Sequence, residues 1–164
     1  MRTGPLVGLV APVWGCAPGP VPPGDAACGS ASGEVEVGQG GASWSPLPRA
    51  GGSLRIVRGS QGGVHVLVGF RARGLPPRMD VVYELRGDDG ALVGEARTAL
   101  SLTPGLFTRD GDALVRNPDL LVLDWDEDRS ADFAGVTAVL TLEARTDGGT
   151  ACDARRVVLE APPP

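Results

Sequence analysis

Alternating apolar and polar side chains are the feature of this sequence that most limits its fold. The clearest run is Val64 to Arg73, in which apolar side chains occupy every second position. Residues 79–87 and 136–146 repeat the pattern. Because successive side chains of a β-strand point to opposite faces, each run predicts a strand with one face on a core and the other toward solvent.

Glycine and proline divide the chain into short segments. There are 25 glycines and 15 prolines in 164 residues, a composition that favours turns over long helices. Gly87-Asp-Asp-Gly90 and Asp147-Gly-Gly149 each lie between two alternating runs and predict hairpin turns. The candidate strands cover roughly residues 34–38, 42–45, 53–58, 64–73, 79–87, 91–102, 113–116, 119–125, 136–146 and 151–160.

These segments predict an all-β fold for residues 34–161. Strand number, spacing and domain size favour an antiparallel immunoglobulin-like β-sandwich. We expect about seven to nine strands, fewer than the candidate segments, because some segments will merge and others will not form strands. A closed β-barrel produces the same alternation and is the alternative architecture. The run Leu120-Leu-Val-Leu123 favours a buried strand over a helix.

The charge of the chain limits the partners it is expected to bind. The formal net charge is −5, and every basic residue is an arginine. The arginines form no basic stripe, so we expect no nucleic-acid binding. Beyond a possible signal segment, no apolar run approaches the ~18 residues that a membrane-spanning helix needs.

The N-terminal segment has the layout of a bacterial export signal. Arg2 provides a basic start, residues 6–14 form an apolar middle, and Gly15 is the small residue before a cysteine. The apolar middle is short, and Pro12 interrupts it. Ordinary secretion and an N-terminal segment that is no signal remain as alternatives.

The four residues that end at Cys16 resemble the lipobox of bacterial lipoprotein precursors. Val13, Gly15 and Cys16 match that motif, whereas Trp14 departs from it. The resemblance implies that residues 1–15 are a signal peptide, that cleavage precedes Cys16, and that this cysteine carries lipid. Lipid chains would attach the protein to a membrane through burial of their hydrocarbon.

The segment after Cys16 has the composition of a tether. Residues 16–33 are rich in proline and glycine and carry almost no charge. Such a segment would let the folded body stand clear of a membrane surface. A tail without a role has the same composition.

Once Cys16 is assigned to lipid, two cysteines remain. Cys28 and Cys152 could form a disulfide in an oxidising, exported setting, which would join the end of the tether to the last hairpin. A free thiol or an intermolecular bond is the alternative. The cysteine spacings match no zinc motif, and a single histidine does not complete the usual ligand sets.

A second resemblance concerns the first half of the body. The pattern Trp44-Ser-Pro-Leu47, followed by Val57, Gly59, Gln61-Gly-Gly63 and His65-Val66, looks like exported bacterial β-sandwich proteins of no assigned activity. It implies fold and export only, and no catalytic residue is carried over.

One serine and the only histidine are the candidates for catalysis. Ser60 as nucleophile and His65 as base would make a small secreted hydrolase. The nucleophile-elbow motif, however, requires glycine where Arg58 stands. We therefore favour a glycine-bearing turn in which His65 is a surface residue facing solvent or a neighbouring strand.

The densest acidic run is the candidate cation site. Asp124, Asp126 and Asp128 have the spacing of the first three ligands of an EF-hand, and carboxylates are the ligands that calcium prefers. The match then fails, because Arg129 and Gly135 occupy the positions of the required glycine and glutamate. A solvated loop whose charges aid solubility is the alternative.

The sequence as a whole predicts a non-catalytic protein of the bacterial cell envelope. We expect a lipid-anchored binding or structural module at the outer membrane or cell surface, with an envelope protein or a carbohydrate as partner and no cofactor. Secretion without an anchor, and a calcium-dependent binding module, are the alternatives. Trp44 and Trp125 are candidates for a ligand platform, although core or rim packing is the more common role of such residues.

Overall fold

The computed structural model describes residues 28–60 and 62–162, and strands dominate it, which confirms the all-β prediction. The predicted signal peptide, Cys16 and most of the predicted tether lie outside the described residues. The strands are β1 (Glu34–Gln39), β2 (Ser45–Pro46), β3 (Gly52–Arg58), β4 (Val64–Arg73), β5 (Met79–Gly87), β6 (Leu92–Leu102), β7 (Thr108–Asp110), β8 (Ala113–Asp124), β9 (Thr137–Thr146) and β10 (Gly149–Glu160). The helical content is one short helix, α1 (Ser130–Phe133), and 3-10 turns at Pro104–Leu106 and Glu127–Arg129.

The ten strands form one curled, mixed sheet. The main path runs β2-β1-β4-β3-β10-β9-β5-β6, and β8 joins it by pairing with β4 and β7. All strand pairs are antiparallel except β3 with β10, which are parallel. The prediction of a purely antiparallel sheet is therefore wrong at this pair. The physical reason is that β3 changes partner along its length, since residues 52–55 pair with β10 and residues 56–58 pair with β4.

The curl of the sheet brings β6 beside β8. The Thr98 hydroxyl donates a hydrogen bond to the Leu120 carbonyl at 2.9 Å. Gly94 has a positive φ of 60°, and a Cβ there would collide with the Leu123 carbonyl. Only glycine permits this approach. Within the described residues these two strands meet without a hydrogen-bonded ladder, so the sheet has features of both predicted architectures.

A single hydrophobic core fills the curled sheet. Its largest fully buried side chains come from both halves of the chain: Val37, Leu54, Ile56, Val64, Phe70, Tyr83, Leu85, Leu121, Leu123, Leu140, Leu142 and Leu159. Alternation along β8 buries Leu121 and Leu123 but leaves Leu120 53% exposed. The predicted buried strand therefore exists, with one of its two faces in the core.

Two candidate strands merge in β8 across Pro118. Proline cannot donate to a ladder, and β8 accommodates it at an irregularity in the pairing with β4. The Asn117–Pro118 peptide bond is cis. The Asn117 amide both accepts a hydrogen bond from Gly41 N–H and donates one to the Gly41 carbonyl, each at 3.0 Å. The Asn117 side chain thus provides hydrogen bonds at the point where the strand pairing is interrupted.

A buried polar cluster joins β5 to β8 inside the core. The Tyr83 hydroxyl, fully buried, donates to the Asp119 carboxylate at 3.0 Å. The guanidinium of Arg116 lies 2.6 Å from the other oxygen of Asp119, a residue only 4% exposed. Burial, together with the negative charge of Asp119, raises the pKa of Tyr83 well above its ordinary value. Tyr83 therefore remains a hydrogen-bond donor to Asp119.

A disulfide between Cys28 and Cys152 confirms the predicted pairing. It joins the segment before β1 to β10, across a sequence separation of 124 residues. Ala31 N–H donates to the Thr150 carbonyl at 3.2 Å and extends the same contact. Residues 28–33, which the sequence assigned to the tether, thus lie against the folded body.

Candidate functional site

The most distinctive surface of the described structure is one end of the curled sheet. Here β8 ends at Asp124, and the chain continues through an exposed loop to Asp132 in α1. Glu95 of β6 lies beside this loop through a hydrogen bond to Trp125. We refer to residues 124–132 together with Glu95 as the acidic tip.

Trp125 is the most exposed large hydrophobic side chain among the described residues, at 68% exposure. Its indole N–H donates a hydrogen bond to a carboxylate oxygen of Glu95 at 2.7 Å. This bond fixes the ring at the edge of the sheet without burying it. An exposed, oriented tryptophan is a surface that a ligand can use.

Arg129 neutralises part of the acidic tip. Its guanidinium contacts the carboxylates of Asp124 at 2.7 Å and Asp132 at 3.0 Å. It also lies 6.0 Å from the ring of Phe133. The hydrogen bond to Asp132, with the charge of Asp124, raises the pKa of Arg129. Arg129 therefore makes its ion pairs within the acidic tip.

Two of the three candidate calcium ligands, Asp124 and Asp126, use a carboxylate oxygen within the loop. One oxygen of Asp124 accepts the Asp126 N–H at 2.9 Å, and one oxygen of Asp126 accepts the Asp128 N–H at 3.0 Å. In the part of the chain that the structure describes, no group of three or more acidic, histidine or cysteine side chains could hold a metal ion. The calcium site stays a prediction, without a ligand group to support it.

An open cleft of about 580 Å³ lies next to the acidic tip, between the β5–β6 turn and α1. Its lining combines an apolar floor with charged side chains at the rim: Asp88, Asp89, Val93, Arg129, Asp132 and Phe133. Asp88 is already paired with Arg156 at 3.0 Å. The lining side chains include no serine, cysteine or histidine.

The structure does not bring the two candidate catalytic residues together. Ser60 is exposed in the β3–β4 turn, and among the described residues no hydrogen bond joins it to His65. His65 is only 8% exposed, and burial lowers its pKa. The prediction of a surface histidine is wrong, because β4 is paired on both sides: His65 lies between Val57 of β3 and Val122 of β8. Gln61 of the same turn lies outside the described residues.

The two candidate platform tryptophans occupy different parts of the molecule. Trp44 packs on Gly38 and Gly69, near the middle of β4, whereas Trp125 lies by Gly63, before the start of β4. The guanidinium of Arg71 lies 4.8 Å from the Trp44 ring centre. Trp44 and Trp125 therefore do not form a joint platform.

Sequence reasoning missed Glu95 as a partner of Trp125. The two residues are 30 positions apart, and the contact exists only because the sheet curls until β6 meets β8. The one local signal is Gly94, whose missing side chain allows the close approach to β8. A glycine within an otherwise regular strand is the kind of position at which another backbone comes near.

None of the helices in residues 28–60 and 62–162 has the length and apolar character required to cross a membrane.

No protein-family profile matches the chain, and no curated protein matches it. Among solved structures, the chain is similar to the CooA pilin subunit from enterotoxigenic Escherichia coli, with a TM-score of 0.40 and 13% sequence identity. The similarity covers 80% of this chain and 99% of that one.

Proposed function

We propose that this protein is a non-catalytic, exported module of the bacterial cell envelope, anchored by lipid on Cys16, whose folded body presents a recognition surface. The observation that supports export most directly is the disulfide between Cys28 and Cys152. Disulfides of this kind persist in oxidising compartments and are rare in the cytosol.

The position of the disulfide also suits an anchored protein. Cys28 is twelve residues after Cys16 in the sequence, and the disulfide bonds it to the last strand of the body. Any pull on an anchor at Cys16 would reach the body at this covalent bond. Residues 17–27 would then provide the tether.

A binding or structural role agrees with the chemistry of the described surface. Arg129 of the acidic tip pairs with Asp124 and Asp132, and the histidine is buried away from the exposed serine. General acid–base catalysis requires a titratable group within reach of a substrate. The exposed Trp125 offers contact area for a partner instead.

Metabolic labelling with palmitate tests the anchor. We expect labelled protein in the membrane fraction for the wild type and no label for Cys16→Ser. Cys28→Ser is the matched control, because it removes a different cysteine of the same N-terminal region and should retain the label. Undiminished labelling of Cys16→Ser would contradict the lipid anchor.

Thiol alkylation of protein taken directly from cells tests export through the disulfide. We expect Cys28 and Cys152 to resist alkylation until a reductant is added. In Cys152→Ser, the remaining Cys28 should react without reductant. Ready alkylation of both cysteines in the wild type would place the protein in a reducing compartment and overturn the proposal.

We further infer that the body is an immunoglobulin-like sandwich and not a closed barrel. Supporting this, β6 and β8 meet through Thr98 and Gly94, without a ladder among the described residues. Hydrogen exchange tests it: the β6 amides directed away from β5 should exchange faster than those paired with β5. Equal, slow exchange of both sets would indicate a closed barrel.

A further inference from the structure

Two of the three tryptophans lie among the described residues, and only Trp44 has a cation over its ring. The Trp44 ring has the guanidinium of Arg71 at 4.8 Å from its centre. Arg71 is in turn held by Glu36 at 2.8 Å and lies 3.8 Å from Asp110. This is a complete arrangement of an aromatic ring, a cation and flanking carboxylates, supplied by one chain.

Trp125 has the ring and the carboxylates but no such cation. Among the described residues, no arginine lies over its ring, and the neighbouring Arg129 lies over Phe133 instead. At 68% exposure, the ring of Trp125 is open to another molecule. The acidic tip therefore presents an exposed ring with a carboxylate at its N–H and, among the described residues, no cation over its face.

The contact with Glu95 prepares the Trp125 ring for a cation. The indole N–H donates to the Glu95 carboxylate at 2.7 Å. A carboxylate at the N–H increases the electron density of the ring, and a cation is attracted to the negative face of that ring. The same carboxylate adds a direct Coulomb attraction near the surface.

The charge of the acidic tip selects the sign of the ligand. The acidic tip holds six carboxylates and one arginine in sequence. Asp126 and Asp128 are exposed and form no ion pair among the described residues, whereas Asp124 and Asp132 share Arg129. A neutral ligand such as a sugar would gain stacking on the ring but leave this excess of negative charge unused.

We propose that Trp125 and the acidic tip bind an arginine or lysine side chain presented by a basic segment of a partner polypeptide. The cation lies over the Trp125 ring, with Glu95, Asp126 and Asp128 as flanking carboxylates. This inference names the partner class of the proposed recognition surface and rests on that binding role, but it does not depend on the lipid anchor.

Titration with synthetic peptides tests the site on the full, oxidised chain. The probe is a glycine–serine peptide that carries three arginines, and the matched probe has citrulline, the uncharged isostere, in their place. We expect the indole N–H resonance of Trp125 to shift on addition of the arginine peptide and to remain in place with the citrulline peptide. Binding should weaken as salt increases, because exposed charges are screened.

Variants separate the site from general charge attraction. Trp125→Leu should reduce the affinity for the arginine peptide about tenfold, as expected for loss of a partly desolvated cation–π contact. Glu95→Gln should also weaken binding. Asp147→Asn is the control, because it removes an equal charge from the exposed β9–β10 turn at the opposite end of β9 and should retain wild-type affinity.

Several results would overturn the proposal. They are equal binding of the citrulline peptide, an unchanged affinity in Trp125→Leu, and binding of neutral maltohexaose in preference to the arginine peptide. Since Trp125 is exposed, thermal unfolding of Trp125→Leu should match the wild type, which separates a lost contact from a lost fold. None of these results would alter palmitate labelling at Cys16, so the anchor is judged separately.

Discussion

Two arginine–aspartate pairs have the same spacing of three residues, one within β8 and the other just beyond its end. Arg116, partly exposed, contacts the buried Asp119 at 2.6 Å, and Arg129 contacts Asp132 at 3.0 Å on the surface. The Asp119 side chain is almost fully buried, whereas that of Asp132 is mostly exposed. The comparison shows that surroundings, not sequence spacing, determine what such a pair does.

The pair of Arg116 with Asp119 is needed for the fold because the Asp119 carboxylate is buried away from water. A carboxylate removed from water requires an opposite charge and hydrogen bonds, which Arg116 and Tyr83 provide to Asp119. The exposed pair has water as an alternative partner, so its net contribution to stability is small. The surface around it is therefore free to change or to bind without a cost in folding.

Removing the buried carboxylate should have the largest effect on stability. Asp119→Ala leaves Arg116 and the Tyr83 hydroxyl without their shared partner, and we expect a loss of about 3 kcal/mol in the free energy of unfolding. Urea denaturation measures it. Asp132→Ala is the matched control on the surface, and an equal loss in both variants would remove the distinction between the two pairs.

Removing a single hydrogen bond from the same cluster should have an intermediate effect. Tyr83→Phe retains the buried ring but withdraws the hydroxyl donor from Asp119, which should cost about 1–2 kcal/mol in urea denaturation. The slope of the transition should stay unchanged, since the same surface is exposed on unfolding. A variant as stable as the wild type would show that Arg116 alone satisfies Asp119.

His65 lies between the two regions, and it should give stability a dependence on pH. Burial lowers its pKa in the folded state, so the unfolded chain binds a proton more readily. Its contribution is complete above the ordinary value of 6.5 and is lost as pH falls below that value. The test substitution is His65→Val, because the residues opposite His65 in β3 and β8 are valines. In this variant the free energy of unfolding should depend less on pH than in the wild type between about pH 5 and 7, the range in which histidine titrates. An identical profile in both proteins would indicate that His65 is solvated.

The smallest effect should come from the surface pair. Asp132→Asn removes one of two carboxylates from Arg129, while the contact with Asp124 at 2.7 Å remains. We expect no measurable change in the urea midpoint, because exposed ion pairs contribute little to stability. A shift as large as that of Tyr83→Phe would show that the acidic tip supports the fold.

Much of the fold could be predicted because strand alternation is local. The bounds of β4 agree with the predicted run 64–73, and those of β5 agree with 79–87. The Cys28–Cys152 pairing followed from assigning Cys16 elsewhere. The parallel pairing of β3 with β10 could not be predicted, since it joins residues about a hundred positions apart and depends on the curl of the whole sheet.

The candidate site was less accessible from the sequence, because its properties arise from burial. Nothing local distinguishes Asp119, which the core encloses, from Asp124, whose side chain stays 20% exposed. His65 was misplaced for the same reason, since its burial depends on strands that pair with both sides of β4. Trp125 was identified, but Glu95 and the missing cation could be recognised only by comparison with the Trp44 site.

Double-mutant cycles on the two pairs test the central claim most directly, that the pair within β8 stabilises the fold while the pair beyond its end is free for recognition. The cycles combine alanine substitutions of Arg116 with Asp119, and of Arg129 with Asp132, and measure each coupling energy by urea denaturation. We predict a coupling of about 1–3 kcal/mol for the buried pair and none above experimental error for the exposed pair. A coupling between Arg129 and Asp132 as large as that between Arg116 and Asp119 would contradict the account.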